Sequence, residues 1–390
     1  MEFEGPRPYQ LGFVMEQNLG HRTHFRNLQR YVADDPTVAP TWMPIEFPAQ
    51  GLHARLPVVR SNWSVRASLL AQRAVSAARK ETQLDVLFYH TQVTALLSPS
   101  QHDVPVVISL DATPLNYDTV GAYYGHTPGG PLESAKHRIN RRALDHASAI
   151  VSWCQWAKDS LIRDYGVPDE KVTVIAPGVD LEQWPVRCGQ DRAASSMNRL
   201  PRLLFVGGDF ERKGGAVLLD CFRRYLYQDC ELHLVTQTPV EPGHHLYVHN
   251  DVTPNSETLL RLYEEADIFV FPTLADCAPL AVPEAMAASL PVITTRIGAI
   301  PEMVRDGEQG FLVAPGSVDE LRVAIHRLMN SPQLRARLGN HGRATVEANY
   351  DAARNAERLL DVLKDAAGRG RERAPTSATH AAPQLVPAAN

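Results

Sequence analysis

Short apolar runs alternate with helix-forming stretches along almost the whole chain, and that alternation constrains the fold more than any single motif. In the first half QLGFVME, DVLFYH, VPVVISL, AIVSW and KVTVIAP read as strands. In the second, RLLFVG, ELHLVT, HLYVHN, IFVFPT, PVITT and FLVAP do the same. Helical stretches separate many of them, among them Thr23 to Val32, Trp63 to Glu81, Glu133 to His146, Gly214 to Tyr227 and Val318 to Met329. Strands buried on both faces need near-continuous apolar residues, and parallel neighbours need a crossover helix between them. The expectation is an α/β protein built on doubly wound parallel sheets. At 390 residues the chain is long for one core, so two such domains are expected.

The boundary is placed at Arg187 to Arg199, RCGQDRAASSMNR, which is polar, rich in small residues and without periodicity. That divides the chain into a first domain over 1–186, a linker over 187–199 and a second domain over 200–350. Residues 368–390 read as a disordered tail. A hydrophobic content of 44% and a charged content of 21% fit a soluble globular protein. The net charge of −5 gives no general argument for a nucleic-acid partner. Cys154, Cys188, Cys221, Cys230 and Cys277 are odd in number and lack metal-type spacing, so neither a disulfide framework nor a zinc site is expected. A reduced, cytoplasmic setting follows. The N-terminus lacks the basic and apolar regions of a secretory signal, and no apolar run is long enough to cross a bilayer.

Two segments carry chemistry. In DCAPLAVPEAMAASLPV, Asp276 stands eight residues before Glu284, with an apolar strand on either side. A strand, a polar loop and a helix start form the place where an open α/β sheet binds ligands. The helix start offers N–H groups to a phosphate. A carboxylate on the first turn can grip a diol, and one in the preceding loop reaches further. That combination suits a nucleotide carrying a second polyol, a sugar nucleotide. Pro283 and Glu284 are also ordinary helix-start residues, and alone the pattern would be structural more often than functional. The second segment is FVGGDFERKGG, Phe205 to Gly215. Gly207 and Gly208 let the backbone approach a ligand, and Lys213, with Arg212 beside it, supplies charge for a phosphate. A tight turn flanked by solvated basic residues explains this segment equally well. It is neither a Walker loop nor G-x-G-x-x-G.

Taken together, the two segments resemble retaining glycosyltransferases of family 4, which adopt the two-domain GT-B fold. The resemblance runs from roughly residue 10 to 366 and is strongest over DCAPLAVPEAMAASLPVITTRIGAIPEMVRDGEQGFLVAPGSVDEL. In the first half, AIVSWCQWAKDSLIRDYGVPDEKVTVIAPGVD resembles the stretch that closes the acceptor domain. The resemblance implies that Glu284, matching the second glutamate of a paired motif, holds the ribose hydroxyls. Asp276 takes the place of the first, which contacts donor-sugar hydroxyls, and is one methylene shorter. Cys277, Ala278, Pro279, Leu280 and Ala281 replace Gly-Phe-Gly-Leu-Pro, whose backbone amides approach the donor; Pro279 has no N–H to offer. Lys213 matches the lysine that neutralises the pyrophosphate. Gly208 stands where an arginine is usual, and Arg212 is the candidate to compensate.

MEQNLGHRTHFRNLQRYV resembles the glycine loop after the first strand, which places Gly20 near the donor phosphates and the acceptor. Asp111 stands where many relatives carry a histidine beside the reacting sugar. A carboxylate at that strand end can orient an acceptor hydroxyl, although Asp before Ala-Thr-Pro is more commonly a turn residue. The active-site reading is preferred because doubly wound sheets bind ligands there. His21, His24 and His90 read as structural. The resemblance further implies retention at the anomeric carbon and metal independence, with a final helix (351–367) returning to the first domain. No cofactor is expected. No residue is required as a nucleophile, so front-face attack is preferred, the leaving phosphate taking the acceptor proton.

The expected function is therefore transfer of a sugar from a nucleotide-sugar donor to a hydroxyl of a sugar, lipid-linked or small-molecule acceptor. A sugar-nucleotide epimerase and a non-catalytic sugar-nucleotide-binding protein are the alternatives. Ser61 to Glu81 is a basic helix that can rest on an anionic membrane, but an ordinary domain helix with a solvated basic face is preferred.

Overall fold

The computed structural model describes residues 7–17, 20–46, 62–100, 103–120, 131–184 and 199–373. The first sheet comprises β1 (Tyr9–Glu16), β2 (Val38–Ile45), β3 (Val86–His90), β4 (Val106–Leu110), β5 (Ala149–Ser152) and β6 (Val172–Val174). Its order is β2-β1-β3-β4-β5-β6. The second comprises β7 (Arg202–Val206), β8 (Glu231–Val235), β9 (Leu246–His249), β10 (Ile268–Phe271), β11 (Val292–Thr295) and β12 (Gly310–Val313), in the order β12-β11-β10-β7-β8-β9. Every pairing in both sheets is parallel. The strand order reverses beside β1 in one sheet and between β7 and β10 in the other. Crevices open at such points, because successive crossovers leave to opposite faces. β3, β4, β10, β11 and β12 are buried at every position, which is why they read as unbroken apolar runs.

The strand β2 falls outside the sequence expectation. It contains Pro40 and Pro44, which argue against a central strand. It lies at the sheet edge and pairs only with β1, so the missing donors leave no inner ladder unpaired. The stretch expected as one helix from Gly214 to Tyr227 is an α-helix over Gly215–Cys221 followed by a π-turn over Phe222–Leu226. The last helix runs over Ala352–Arg373, so residues 368–373 are helical rather than part of a tail. Residues 187–198 of the expected linker, and the remainder of the expected tail, lie outside the described residues.

The chain crosses back to the first sheet just before that helix. Val179 N–H donates to Tyr350 O at 2.7 Å, and Ala352 N–H donates to Val179 O at 3.0 Å. Gly178 is needed here, since a Cβ would fall 2.1 Å from the Ala352 Cα. The helix then buries Ala356, Leu359, Leu360, Leu363, Ala366 and Ala367 in one core with Leu11, Phe13, Met15, Val86, Phe88 and Val107. Leu363 is fully buried there. Leu363→Ala should therefore lower the unfolding free energy by about 2–5 kcal/mol, read from a urea titration. A loss below about 0.5 kcal/mol, the range of surface substitutions, would show that this helix does not complete the core.

Candidate active site

Both sheets end in loops that meet in a groove. On the second half, the chain leaves β7 through Gly207 and Gly208 and tightens into a turn. Lys213 N–H donates to Asp209 O at 3.0 Å, and Gly214 N–H donates to Glu211 O at 3.0 Å. Space is open around Gly208, where a Cβ would meet no atom within 4 Å. Arg212 is buried and ties this turn to the loop after β10. Its Nε donates to Asp209 Oδ2 at 2.9 Å, one NH1 donates to Ala275 O at 2.8 Å, and Leu274 N–H returns a bond to its carbonyl at 2.9 Å. Arg212 is thus a strut between two loops.

The Arg212 guanidinium also lies 3.9 Å from Asp276 Oδ2, the oxygen that its neighbour Lys213 approaches more closely. The Lys213 ammonium pairs with Asp276 Oδ2 and lies 5.3 Å from the centre of the Phe271 ring. The Asp276 carboxylate is itself buried. The helix Ala281–Ala287 follows and carries Glu284 on its first turn. Tyr263, fully buried, donates its hydroxyl to Glu284 Oε2 at 3.2 Å. Burial pushes the Glu284 carboxyl up to about 7, and the Tyr263 bond offsets only part of that. Glu284 and Leu280 line a small cavity with Thr23 and Asn27 of the opposite half, the crossover residues Gly178 to Asp180, Trp184 and Asn255. Gly20 caps the helix His21–Ala33, and a Cβ there would sit 3.6 Å from Leu280. Gly20, Leu280 and Glu284 are therefore brought together across the two halves.

On the first half, Asp111 follows β4 and is buried beside Tyr117, whose hydroxyl donates to Oδ1 at 3.2 Å. Burial raises its carboxyl above the usual range, and a charge on His21 would act in the opposite sense. Tyr117 is held by the helix Pro114–Thr119, which Thr113 and Asn116 close with reciprocal cap bonds. The three histidines form one group. His21 Nδ1 lies 2.6 Å from His90 Nε2, and His90 stacks on Trp153 with ring centres 4.9 Å apart. His24 packs edge-on against both His90 and Trp153. Burial lowers His24 to about 3 and His90 well below its ordinary value, so both are neutral near pH 7. No spacing in the sequence announces this group, since His21 and His24 come from one helix, His90 from the end of β3 and the Trp153 they pack on from directly after β5.

Among the described residues, no group of three or more His, Cys, Asp or Glu side chains is placed to hold a metal ion. No described helix is long and apolar enough to cross a membrane. The helix Trp63–Glu81 buries Ala67, Ala71 and Val75 in the first-half core, as an ordinary domain helix does. It also buries Arg66, and its Arg79 pairs with Asp103, so only part of the expected basic face meets solvent.

Residues 18–183 match the family described as Glycosyltransferase Family 4, and residues 200–331 match Glycosyl transferases group 1. The chain is similar to the MMP alpha-(1->4)-mannosyltransferase of Mycolicibacterium hassiacum, at 34% identity over 242 residues, 59% of this chain and 57% of that one. It is similar to the D-inositol 3-phosphate glycosyltransferase of Streptomyces bingchenggensis, at 28% identity over 259 residues, 60% of this chain and 57% of that one. Less than two thirds of each of these relatives is therefore matched. Among solved structures, sucrose-phosphate synthase from Thermosynechococcus elongatus superposes with a TM-score of 0.71 at 17% identity, covering 92% of this chain and 98% of that one. Anabaena Alr3699/HepE in complex with UDP and glucose superposes with a TM-score of 0.65 at 15% identity, covering 92% and 100%. Likenesses at such identities show the fold alone, and that fold is GT-B. With one half matching each family description in chain order, the protein belongs to the group 1, family 4 glycosyltransferases.

Proposed function

We propose that this protein transfers a sugar from a nucleotide-sugar donor to an acceptor hydroxyl, with retention at the anomeric carbon and without a metal. The observation that carries the reading is the Lys213–Asp276 ion pair between the loops after β7 and β10, the neighbouring strands at which the second sheet reverses its order, with Glu284 on the helix that follows. Glu284, ionised, accepts from the ribose diol. The open space beside Gly208 admits the diphosphate, and Lys213 leaves Asp276 to neutralise it. Asp276, released, accepts from a hydroxyl of the transferred sugar. Ala278, Pro279 and Leu280 lie in the chain between these two carboxylates and, on this reading, line the donor. Arg212 supports the site by holding its loops together, which leaves the leaving-group charge to Lys213.

Across the groove, Asp111 orients the acceptor hydroxyl, with Tyr117 holding the carboxylate. The acceptor oxygen attacks the anomeric carbon from the face the diphosphate departs. The departing phosphate oxygen takes the acceptor proton, which preserves configuration without a covalent intermediate. The names of the relatives support sugar transfer over epimerisation, and an epimerase would leave no use for an acceptor-facing carboxylate.

The test is a thermal-shift panel of UDP-, GDP- and ADP-sugars, followed by product analysis with the best binder in EDTA. The expected result is a raised melting temperature with one base, and transfer that keeps the donor's anomeric configuration at a rate EDTA leaves within about twofold of its original value. Epimerised donor with no acceptor product would favour the epimerase. Binding without any turnover would favour a sensor, and loss of turnover in EDTA would remove metal independence.

A further inference from the structure

One contact joins the halves at a point outside the donor residues. The helix Gln155–Tyr165 of the first half has Cys154 as its N-cap, and that residue supplies no side-chain cap bond. First-turn amides of such a helix need an acceptor. Here the acceptor comes from the other half. Glu302 Oε2 accepts from Gln155 N–H at 2.7 Å, and Oε1 accepts from Trp156 N–H at 2.6 Å. Both carboxylate oxygens are engaged, and negative charge at a helix start is favoured by its dipole.

Each end of this contact is coupled to a reacting loop. Glu302 lies on the helix Ile300–Met303, entered through Gly298 and Ala299. Ala299 N–H donates to Cys277 O at 2.9 Å. Gly298 has a φ of +56°, and a Cβ there would fall 2.4 Å from Asp276 O, so this segment lies directly against the Asp276–Cys277 loop. On the other side, Cys154 Sγ is 3.5 Å from Asp111 O. Between them an apolar patch spans the groove, in which Ala112, Tyr117, Val120 and Trp156 pack with Cys277 and Ile297. Tyr117 is the residue that holds Asp111.

We infer that Glu302 is a positioning residue: by capping a helix of the opposite half, it sets the Asp111 loop against the Asp276 loop. This rests on the proposed reading only for what the two loops do. The juxtaposition itself is independent of it. The cap is exposed to solvent, so water competes with it in an open form, and the apolar patch supplies the rest of the closure.

The experiment compares the wild-type chain with Glu302→Ala and Glu302→Gln by hydrogen exchange, donor thermal shift and transfer rate. Glu302→Ala should speed exchange at the Gln155 and Trp156 amides about tenfold, with the core strands unchanged. Transfer should fall about tenfold while the donor-induced thermal shift stays the same. Glu302→Gln, which keeps one strong acceptor, should lie between. Unchanged exchange at both amides would overturn the inference. So would equal losses of transfer, donor binding and global stability, because a merely structural residue gives that pattern. If wild type transfers no sugar to any acceptor, the proposed function fails, and the exchange result still decides the role of Glu302.

Discussion

Lys213→Ala should lower kcat by about 10²–10³-fold, the range seen when one preorganised stabiliser of developing charge is removed. On the proposed reading the diphosphate gains negative charge as the glycosidic bond breaks, so the ammonium does more for the transition state than for the bound donor. KM should therefore move much less than kcat. The variant also removes the nearer ion-pair partner of the buried Asp276 carboxylate and leaves only Arg212 at 3.9 Å, which is destabilising in its own right. The double variant Lys213→Ala/Asp276→Asn separates the two effects: it should recover the melting temperature lost in the single variant and recover no turnover. A single variant within about threefold of wild-type kcat would place the diphosphate elsewhere.

The donor KM should be pH-dependent through Glu284, whose carboxyl lies up near 7. Above that pH the group is ionised and, on the proposed reading, accepts charge-assisted bonds from the ribose diol. As pH falls through 7 it is protonated and the stronger form of the contact is lost. We expect the donor KM to rise about tenfold between pH 8 and pH 6, equivalent to about 1.4 kcal/mol. Glu284→Gln should raise KM at pH 8 and flatten the profile. The linkage to stability has the opposite consequence. A carboxyl whose folded pKa is raised holds its proton longer in the fold than in the unfolded chain. Its contribution is full below the unfolded value of 4.5 and is lost as pH rises through 7. Glu284→Gln should therefore melt higher than wild type at pH 8 while binding donor more weakly. A KM profile in the variant parallel to that of wild type would assign the titration to another group.

Much of this was legible in the chain because doubly wound folds write their core plainly. β3, β4, β10, β11 and β12 are buried on both faces, so each appears as an apolar run needing no tertiary information. β2 was not legible, since an edge strand tolerates Pro40 and Pro44, which a sequence reading takes as breakers. The roles of Arg212 and Lys213 could not be separated from the sequence. The two are adjacent and chemically alike, and only the turn geometry commits Arg212 to hydrogen bonds within a loop junction while Lys213 makes the closer contact with Asp276. The same holds for Glu302. It reads as an ordinary residue of a short helix, and its partners stand 147 and 146 positions away. The histidine group was hidden for a related reason, because pairing of β1 with β3 is what sets His21 beside His90.

The return of the final helix has a consequence for how the protein is made. The apolar surface of Leu11, Phe13 and Phe88 is completed by Leu359, Leu360 and Leu363. During synthesis, at about 5–20 residues per second, the earliest strands leave the ribosome long before the helix that seals them exists. The nascent first half must therefore wait with an oily flank uncovered, and chaperones have their natural target there. Expressed as a fragment, that half would keep this flank open for good.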